Sequence, residues 1–310
     1  MRSRFPLAAA TLYLALGCGS DAGDDWSRVS SAPQTFGYLD VWAFADDDVW
    51  LIDGTATIQR YDGEGFSALE VPSAGGVACI YAISETEVYL CGGDDVLVYD
   101  GTNFTPMGVS EARGLDGISG VWASGPDDVW AIGSDAIVAH FDGTTWTGTI
   151  VGSPFPSSIW GTGAGEVYLV DTFELNQYDG STWTEIDLDT GGGEQVWGTG
   201  PDDVWVMTDS YELAHFDGTS WELVETGDDF VGDLAAVWGP EPDDLWAAGT
   251  AGSVARYNGS SWNEVRHQRI GAPYLQQLVA IHGSSATNIW AVGTQLGEGG
   301  GQGLIFRYQP

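Results

Sequence analysis

Hydrophobic and polar positions along this chain repeat with a period of about 40 residues. Short apolar runs rich in Val, Ile and Trp, such as Val129-Trp130-Ala131-Ile132, alternate with clusters of Gly, Asp, Pro and Ser. Runs of this length between turn residues are typical of β-strands, and helical periodicity is absent from the repeat. The pattern therefore predicts an all-β chain built from repeated units.

Four aromatic positions mark the repeat. The first and second lie eight residues apart in every copy, and in six copies the third follows after ten or eleven residues and the fourth five residues later. The first series is Trp42, Tyr81, Trp122, Trp160, Trp197, Trp238 and His282. The second series is Trp50, Tyr89, Trp130, Tyr168, Trp205, Trp246 and Trp290. This period is typical of the four-stranded antiparallel blades of a β-propeller.

The seventh copy has no fourth aromatic before Pro310, but one near the other end has the right spacing. Asp21 to Trp26 matches the spacing of Phe141 to Trp146, with Asp21 in place of the aromatic. We therefore expect Trp26 to Val29 to supply the fourth strand of the last blade. Six complete copies and one split copy predict a seven-bladed β-propeller whose ring is closed by pairing the N-terminal strand with the C-terminal blade.

All fifteen tryptophans occupy the first, second and fourth positions of the repeat. We interpret each as a packing residue between neighbouring blades, and not as part of an exposed platform. The second copy, with Val88-Tyr89-Leu90-Cys91-Gly92-Gly93, then Tyr99-Asp100 and Phe104, resembles the kelch-like class of bacterial propellers. That resemblance implies a fold but no activity, because propellers serve as enzymes, lectins and scaffolds alike.

The first residues are typical of an export leader. Arg2 and Arg4 precede an apolar run, Phe5 to Gly17, that is too short to span a membrane. The run ends in Ala15-Leu16-Gly17-Cys18, which resembles the lipobox of bacterial lipoproteins and implies that Cys18 is lipidated. An ordinary cleaved leader is the alternative. The expected organisation is a leader over 1–17, a lipidated cysteine and tether over 18–25, and one propeller domain over 26–310.

The charge is strongly one-sided, with 45 acidic residues against 9 arginines, no lysine and a net charge of −36. Such a surface repels nucleic acid and anionic membranes and attracts cations. Nucleic acid is therefore excluded as a partner, and membrane attachment would depend on the lipid anchor. Paired aspartates in the first-to-second strand turns are candidate calcium ligands, with turn chemistry as the alternative: Asp127, Asp128, Asp202, Asp203, Asp243 and Asp244.

Two enlarged segments fall on the opposite face of the predicted ring. The linker between Trp262 and His282 carries the candidate binding residues Arg266, His267, Arg269 and Tyr274. The turn from Thr294 to Gly303 is long and rich in glycine. Enlarged loops on one side of a regular scaffold are where binding sites usually lie, although tolerated insertion is the alternative.

Cys79 lies two residues before Tyr81, and Cys91 lies two residues after Tyr89. If those tyrosines face each other across a hairpin, the cysteines also do, within reach of a disulfide that export would favour. Two buried thiols are the alternative.

No nucleophile elbow, phosphate loop or paired-carboxylate motif stands apart from the repeat. The inner strands are expected to be apolar, as in Ala235-Ala236-Val237-Trp238, whereas a propeller enzyme needs polar groups there. We therefore predict a non-catalytic binding or scaffold protein at the cell envelope, at the outer membrane or cell surface or facing the periplasm, that recognises protein or glycan. The alternative is an extracytoplasmic hydrolase or lyase with a metal in the central channel. The sequence does not fix the oligomeric state.

Overall fold

The computed structural model describes residues 25–72, 75–109, 115, 117–208, 212–224, 233–266, 275–297 and 300–310. These residues form seven four-stranded antiparallel sheets. The strands of blades 1 to 3 are β2 (Asp40–Ala45), β3 (Asp48–Ile52), β4 (Thr57–Tyr61), β5 (Phe66–Glu70), β6 (Cys79–Ser84), β7 (Glu87–Gly92), β8 (Asp95–Tyr99), β9 (Phe104–Pro106), β10 (Gly120–Gly125), β11 (Asp128–Ile132), β12 (Ile137–Phe141) and β13 (Trp146–Ile150).

The strands of blades 4 to 6 are β14 (Pro156–Gly163), β15 (Glu166–Asp171), β16 (Leu175–Tyr178), β17 (Trp183–Ile186), β18 (Gly193–Gly200), β19 (Asp203–Thr208), β20 (Leu213–Phe216), β21 (Trp221–Val224), β22 (Leu234–Glu241), β23 (Asp244–Gly249), β24 (Val254–Tyr257) and β25 (Trp262–Arg266). Blade 7 consists of β26 (Leu275–Ser285), β27 (Asn288–Gly297), β28 (Gly300–Tyr308) and the N-terminal β1 (Trp26–Arg28).

The first strand of each blade contacts the first strands of both neighbouring blades, so seven inner strands surround a central axis. The strand order in each sheet then places the second, third and fourth strands progressively further from the axis. This arrangement is the predicted seven-bladed β-propeller.

The ring closes as expected from the spacing near Trp26. Strand β1 pairs antiparallel with β28, with Trp26 opposite Tyr308. The same pairing of third and fourth aromatics occurs within a complete copy, where Phe141 lies opposite Trp146. Trp26 also packs its ring 5.8 Å from Trp246 of blade 6, so the split blade contacts its neighbour as the intact blades do.

Neighbouring blades are held together by the second-strand aromatics. Each of five buried indoles contacts the third-strand aromatic of the next blade, with ring centroids 4.7–5.4 Å apart. The pairs are Trp50–Tyr99, Trp130–Tyr178, Trp205–Tyr257, Trp246–Tyr308 and Trp290–Tyr61. Aromatic pairs at these separations stabilise an interface beyond the area that they bury, so this repeat position is a packing position.

Blade 7 differs from the loop expected between Thr294 and Gly303. Strands β26, β27 and β28 contain 11, 10 and 9 residues, whereas the corresponding strands elsewhere have four to eight. Thr294 pairs with Gly303 and Gly297 with Gly300, so the described part of this segment is an extended hairpin instead of an enlarged turn. The glycines of β28 let the 33–38 segment pack close to this hairpin: a Cβ at Gly303 would lie 2.6 Å from Tyr38 Cε2, and Gly303 N donates a hydrogen bond to Thr35 O at 2.8 Å.

Antiparallel strands give the ring two distinct faces. The turn face contains the first-to-second and third-to-fourth strand turns, such as 46–47 and 62–65. The linker face contains the second-to-third turns and the connections between blades, such as 53–56 and 151–155. Among the described residues, no helix is both long and apolar enough to cross a membrane.

Candidate functional site: the axial cavity and the linker face

The axis of the ring encloses a cavity of about 360 Å³. All seven members of the first aromatic series line it: Trp42, Tyr81, Trp122, Trp160, Trp197, Trp238 and His282. Trp122 and Trp238 are buried and the other five are half-buried. The inner-strand tryptophans pack in the clusters between neighbouring blades, as predicted, and their rings also form a cavity wall, which was not predicted from the sequence.

A small residue follows each of these aromatics in the sequence, and the structure shows why. The Trp122 indole lies over Gly161 of the next blade, where an added Cβ would be 2.9 Å from Trp122 Cη2. Trp160 lies over Gly198 in the same way. At the junction of blades 7 and 1, His282 Nδ1 accepts a hydrogen bond from Ala43 N at 3.1 Å.

Polar side chains line the cavity at the linker-face ends of the inner strands. Asp40 accepts hydrogen bonds from Val41 N at 2.8 Å and from Ile80 N of the next blade at 2.9 Å. Gln195 Oε1 accepts one from Val237 N, also across a blade boundary, at 2.6 Å. Ser119, Ser157 and Ser158 complete the polar part of the wall.

This polar end corrects the expectation of uniformly apolar inner strands. The residues responsible, including Asp40, Ser158 and Gln195, lie two positions before the first aromatic of their blades. Polar residues at this position of the repeat could have predicted the polar end from the sequence. Blades 6 and 7 have Ala236 and Ala280 at this position. The apolar run of blade 6, from which the expectation was drawn, therefore does not represent the inner strands of the other blades. Asp40 is the single carboxylate among the described lining residues, so the described wall does not pair two carboxyl groups for acid–base chemistry.

The ionisable groups of the cavity have unusual environments. Burial raises the pKa of Asp40 to about 7, although the two backbone hydrogen bonds act to lower it. Burial lowers the pKa of His282 to about 3, so its imidazole is neutral at physiological pH. Burial also raises the pKa of Tyr81 to about 12. Above neutral pH the described wall thus carries one formal charge, and that charge is negative.

Separate hydrogen bonds anchor six of the seven second-strand aromatics, all but Trp246. In blade 3, Asp128 accepts hydrogen bonds from Trp130 Nε1 at 2.8 Å, His140 Nε2 at 2.7 Å and Ser124 Oγ at 2.5 Å. Burial acts to raise the pKa of Asp128, but these hydrogen bonds hold it below its ordinary value. The His140 ring also stacks on Trp130, with centroids 3.9 Å apart.

The same network recurs with different side chains. Asp203 binds Trp205, His215 and Thr199 in blade 5, and Asp48 binds Trp50 and Arg60 in blade 1. Where the aromatic is Tyr89 or Tyr168, its hydroxyl donates to Glu87 or Glu166 instead. The sequence contains the same pairing: two residues before the aromatic there is Asp for Trp50, Trp130, Trp205 and Trp246, Asn for Trp290, and Glu for Tyr89 and Tyr168.

These networks bear on the calcium candidates. Asp128 and Asp203 are buried inside their blades, whereas their neighbours Asp127 and Asp202 are exposed. Asp244 forms a two-point ion pair with Arg256, and Asp243 is exposed. In each pair, one carboxylate is therefore held within the blade and the other is exposed to solvent. Within the described residues, no three His, Cys, Asp or Glu side chains form a group that could hold a metal ion.

The remaining turn aspartates serve the backbone. Asp62, Asp100, Asp142, Asp179 and Asp217 each accept hydrogen bonds from backbone N–H groups two and three residues later. Hydrogen bonds from Ser181 and Thr182 lower the pKa of Asp179 to about 2. This pattern is that of the turn chemistry weighed as the alternative to metal binding.

The structure places the other predicted site residues as follows. Arg266 ends β25, donates hydrogen bonds to Gly252 O and Gln276 Oε1, and lies over the Phe306 ring, so its guanidinium is engaged within the fold. Cys79 lies opposite Cys91 in the β6–β7 register, and a disulfide joins them with Cα atoms 5.1 Å apart. Cys18, His267, Arg269 and Tyr274 lie outside the described residues.

Exposed apolar side chains are concentrated on the linker face. Phe36, Phe155 and Phe173 are 71%, 67% and 65% exposed there. Phe155 and Phe173 lie on adjoining loops, because Ser153 N donates a hydrogen bond to Asp171 at 2.7 Å. Further exposed apolar residues on this face are Leu39, Ile150 and Leu275, whereas Ile83 is the one large exposed apolar side chain among the described turn-face residues. Sequence reasoning missed these positions because they lie outside the repeat.

Solved structures of other propellers are similar over nearly the whole chain. YCF48 bound to D1 peptide covers 93% of this chain and 97% of its own, with a TM-score of 0.69 and 16% identity. YCF48 from Cyanidioschyzon merolae covers 92% and 98%, with a TM-score of 0.67 and 14% identity. The WD40 β-propeller domain of Doa1 covers 90% and 96%, with a TM-score of 0.68 and 10% identity. At these identities the likeness shows the fold alone.

No protein-family model matches the chain, and no curated protein sequence matches it.

Proposed function

We propose that this protein is an exported, lipid-anchored, non-catalytic scaffold that binds a polypeptide segment on its linker face. The observation that carries the proposal is the set of exposed aromatic side chains Phe36, Phe155 and Phe173. Large exposed apolar groups gathered on one side of a soluble fold usually mark an interaction surface. The polar end of the axial cavity lies on the same side of the ring, at the linker-face ends of the inner strands.

Charge indicates the kind of segment. The backbone of Phe173 lies close to Gly191 of the β17–β18 linker, which also carries the exposed carboxylates Asp187 and Asp189. The whole chain carries a net charge of −36, which attracts a positively charged partner and speeds its association. We therefore expect an extended segment that combines arginine or lysine with apolar side chains.

The structural neighbours support a polypeptide partner over a glycan. YCF48, one of the propellers of similar fold, has been solved with a bound peptide. That fact belongs to YCF48 and reaches this chain only as a precedent for the fold. Propellers present several loops around one recess, which suits the capture of a chain segment.

Selection from a random peptide library on the folded full chain tests the proposal. We expect the selected peptides to be rich in basic and apolar residues, and the double variant Phe155→Ser/Phe173→Ser to bind them at least about tenfold more weakly. Leu223→Ser is the matched control, because Leu223 is 47% exposed on the outer strand β21. Selected peptides that bind both variants equally, or binding of oligosaccharides with no peptide enriched, would overturn the proposal.

The anchor has its own test. A wild-type chain that partitions into detergent when expressed with its leader, and a Cys18→Ala variant that does not, would support lipidation. Equal partitioning of both into the aqueous phase would instead favour the ordinary cleaved leader.

A further inference from the structure

The axial cavity combines aromatic rings with a single carboxylate among its described lining residues. All seven first-series residues line its wall, and five of them form a chain of ring contacts: Trp238, His282, Trp42, Tyr81 and Trp122. Aromatic rings present electron-rich faces that attract ammonium and guanidinium groups within about 6 Å. A wall of this kind therefore favours a cationic guest over an anionic one.

Asp40 adds a carboxylate at the linker-face end of this wall. Two of the roughly four acceptor positions of a carboxylate are used by Val41 N and Ile80 N. The remaining positions are available to a donor that enters the cavity, which Asp40 lines. Among the described lining residues, the other titratable groups are Tyr81 and His282, which are neutral near pH 7, and Cys79 lies in a disulfide.

The dimensions agree with a side chain rather than a large ligand. The volume of about 360 Å³ is at the lower end of the range for small-molecule sites. Gln195, Ser119 and Ser157 lie at the same end as Asp40 and supply further acceptors for several N–H donors. A planar guanidinium, which carries five donors, suits such a cluster of acceptors better than a single ammonium does.

We propose that the axial cavity binds the cationic side chain of an arginine, or less tightly a lysine, from the segment held on the linker face. This inference rests on the proposed function, and it names the residue type that the segment must place at the axis. The guanidinium pairs with Asp40, and its stem lies against the rings of the inner strands. The exposed aromatics of the linker face hold the apolar neighbours of that arginine.

The experiment measures binding of N-acetyl-arginine amide to the full chain by calorimetry and by tryptophan fluorescence. N-acetyl-citrulline amide is the matched ligand control, because it has nearly the same shape without the charge. We expect the arginine compound to bind at least about tenfold more tightly than the citrulline compound. Asp40→Asn should remove that preference. Asp135→Asn, the same charge change at an exposed linker-face turn, should leave it intact.

Equal binding of the two compounds, no detectable binding of either, or an undiminished preference in Asp40→Asn would overturn the inference. A thermal melt of each variant establishes that it is folded before binding is measured. The result is separable from the proposed function. Selected peptides that depend on Phe155 and Phe173 but not on Asp40 would leave the scaffold proposal standing and remove only the arginine site.

Discussion

The first and second aromatic series of this propeller have the same spacing in every repeat but different surroundings. Each first-series ring lies directly opposite a second-series ring in the strand register, as Trp197 does opposite Trp205. The second series is at most 3% exposed throughout, whereas five of the seven first-series rings are half-buried around the axial cavity. Residue type and register are shared, so neither explains the difference.

Distance from the axis explains it. Paired residues on neighbouring antiparallel strands share a face of the sheet, so both rings point to the same side of their blade. The second strand lies between two blades, and the next blade covers its ring. The first strand lies at the inner edge, where seven blades converge and leave a space that no further strand fills. An identical side chain is therefore core in one strand and cavity wall in the next.

The largest expected effect comes from truncating one ring of each series in the same blade. Trp205→Ala should lower the free energy of unfolding by about 4 kcal/mol, because Trp205 is fully buried and its removal leaves a cavity. Trp197→Ala should cost about 1–2 kcal/mol, since water in the axial cavity can occupy the vacated space. Urea unfolding of both variants measures the difference, and equal losses would contradict the comparison.

The carboxylate network beneath the second series should give the next largest effect. Asp128→Ala should lower the free energy of unfolding by about 3 kcal/mol, because the Trp130 indole, His140 and Ser124 lose a buried acceptor. Asp127→Ala is the control one residue away, and its exposed carboxylate should change stability by less than about 0.5 kcal/mol. Chemical denaturation at pH 7 distinguishes them, and similar values would show that the network contributes little.

An effect that depends on pH should distinguish His282 from the other residues of the first series. The pKa of His282 is about 3 in the folded chain against an ordinary 6.5, so between these pH values the unfolded chain binds a proton that the folded chain does not. Stability from this residue is therefore fully present above pH 6.5 and is lost as the pH falls toward 3. His282→Phe should reduce the loss of stability between pH 7 and pH 4 by about 3 kcal/mol, at about 1.4 kcal/mol for each pH unit below 6.5.

Unfolding curves at the two pH values measure that change in slope. Tyr81→Phe is the control within the same ring of residues, because Tyr81 does not titrate in this range. Its pH dependence should match that of the wild type. An unchanged slope in His282→Phe would show that His282 is protonated in the folded chain.

Much of the fold was predictable from the sequence because the repeat is regular. Eight-residue spacing fixed the inner hairpin of every blade, and the match between Trp26 and Trp146 was enough to predict the split blade. The Asp-x-Trp and Glu-x-Tyr pairs were also present in the sequence. In four blades this Asp accepts a hydrogen bond from the third-strand side chain twelve residues later. Local patterns of this kind are readable because both partners belong to one repeat.

The candidate site was less predictable. From the sequence, Asp40 and Gln195 could be predicted only as residues of an inner strand. Each accepts a hydrogen bond from the next blade, and that contact exists only in the folded ring. Phe155 and Phe173 belong to separate loops that meet only when blade 4 is folded. The expected hairpin loop in blade 7 was misjudged because glycine-rich sequence favours turns locally, while strand pairing and the neighbouring 33–38 segment favour an extended hairpin.

The sequence by itself determined the strand pattern, the number of blades, the way the ring closes and the sign of the surface charge. Each of these depends on neighbours within one repeat or on a simple count of residues. The tertiary structure alone decided which aromatic rings are covered and which line a cavity, and which linker residues share a surface. Those properties depend on how far a strand lies from the axis and on contacts between blades. The sequence repeats the same aromatic spacing in every copy, so it does not distinguish covered rings from rings that line a cavity.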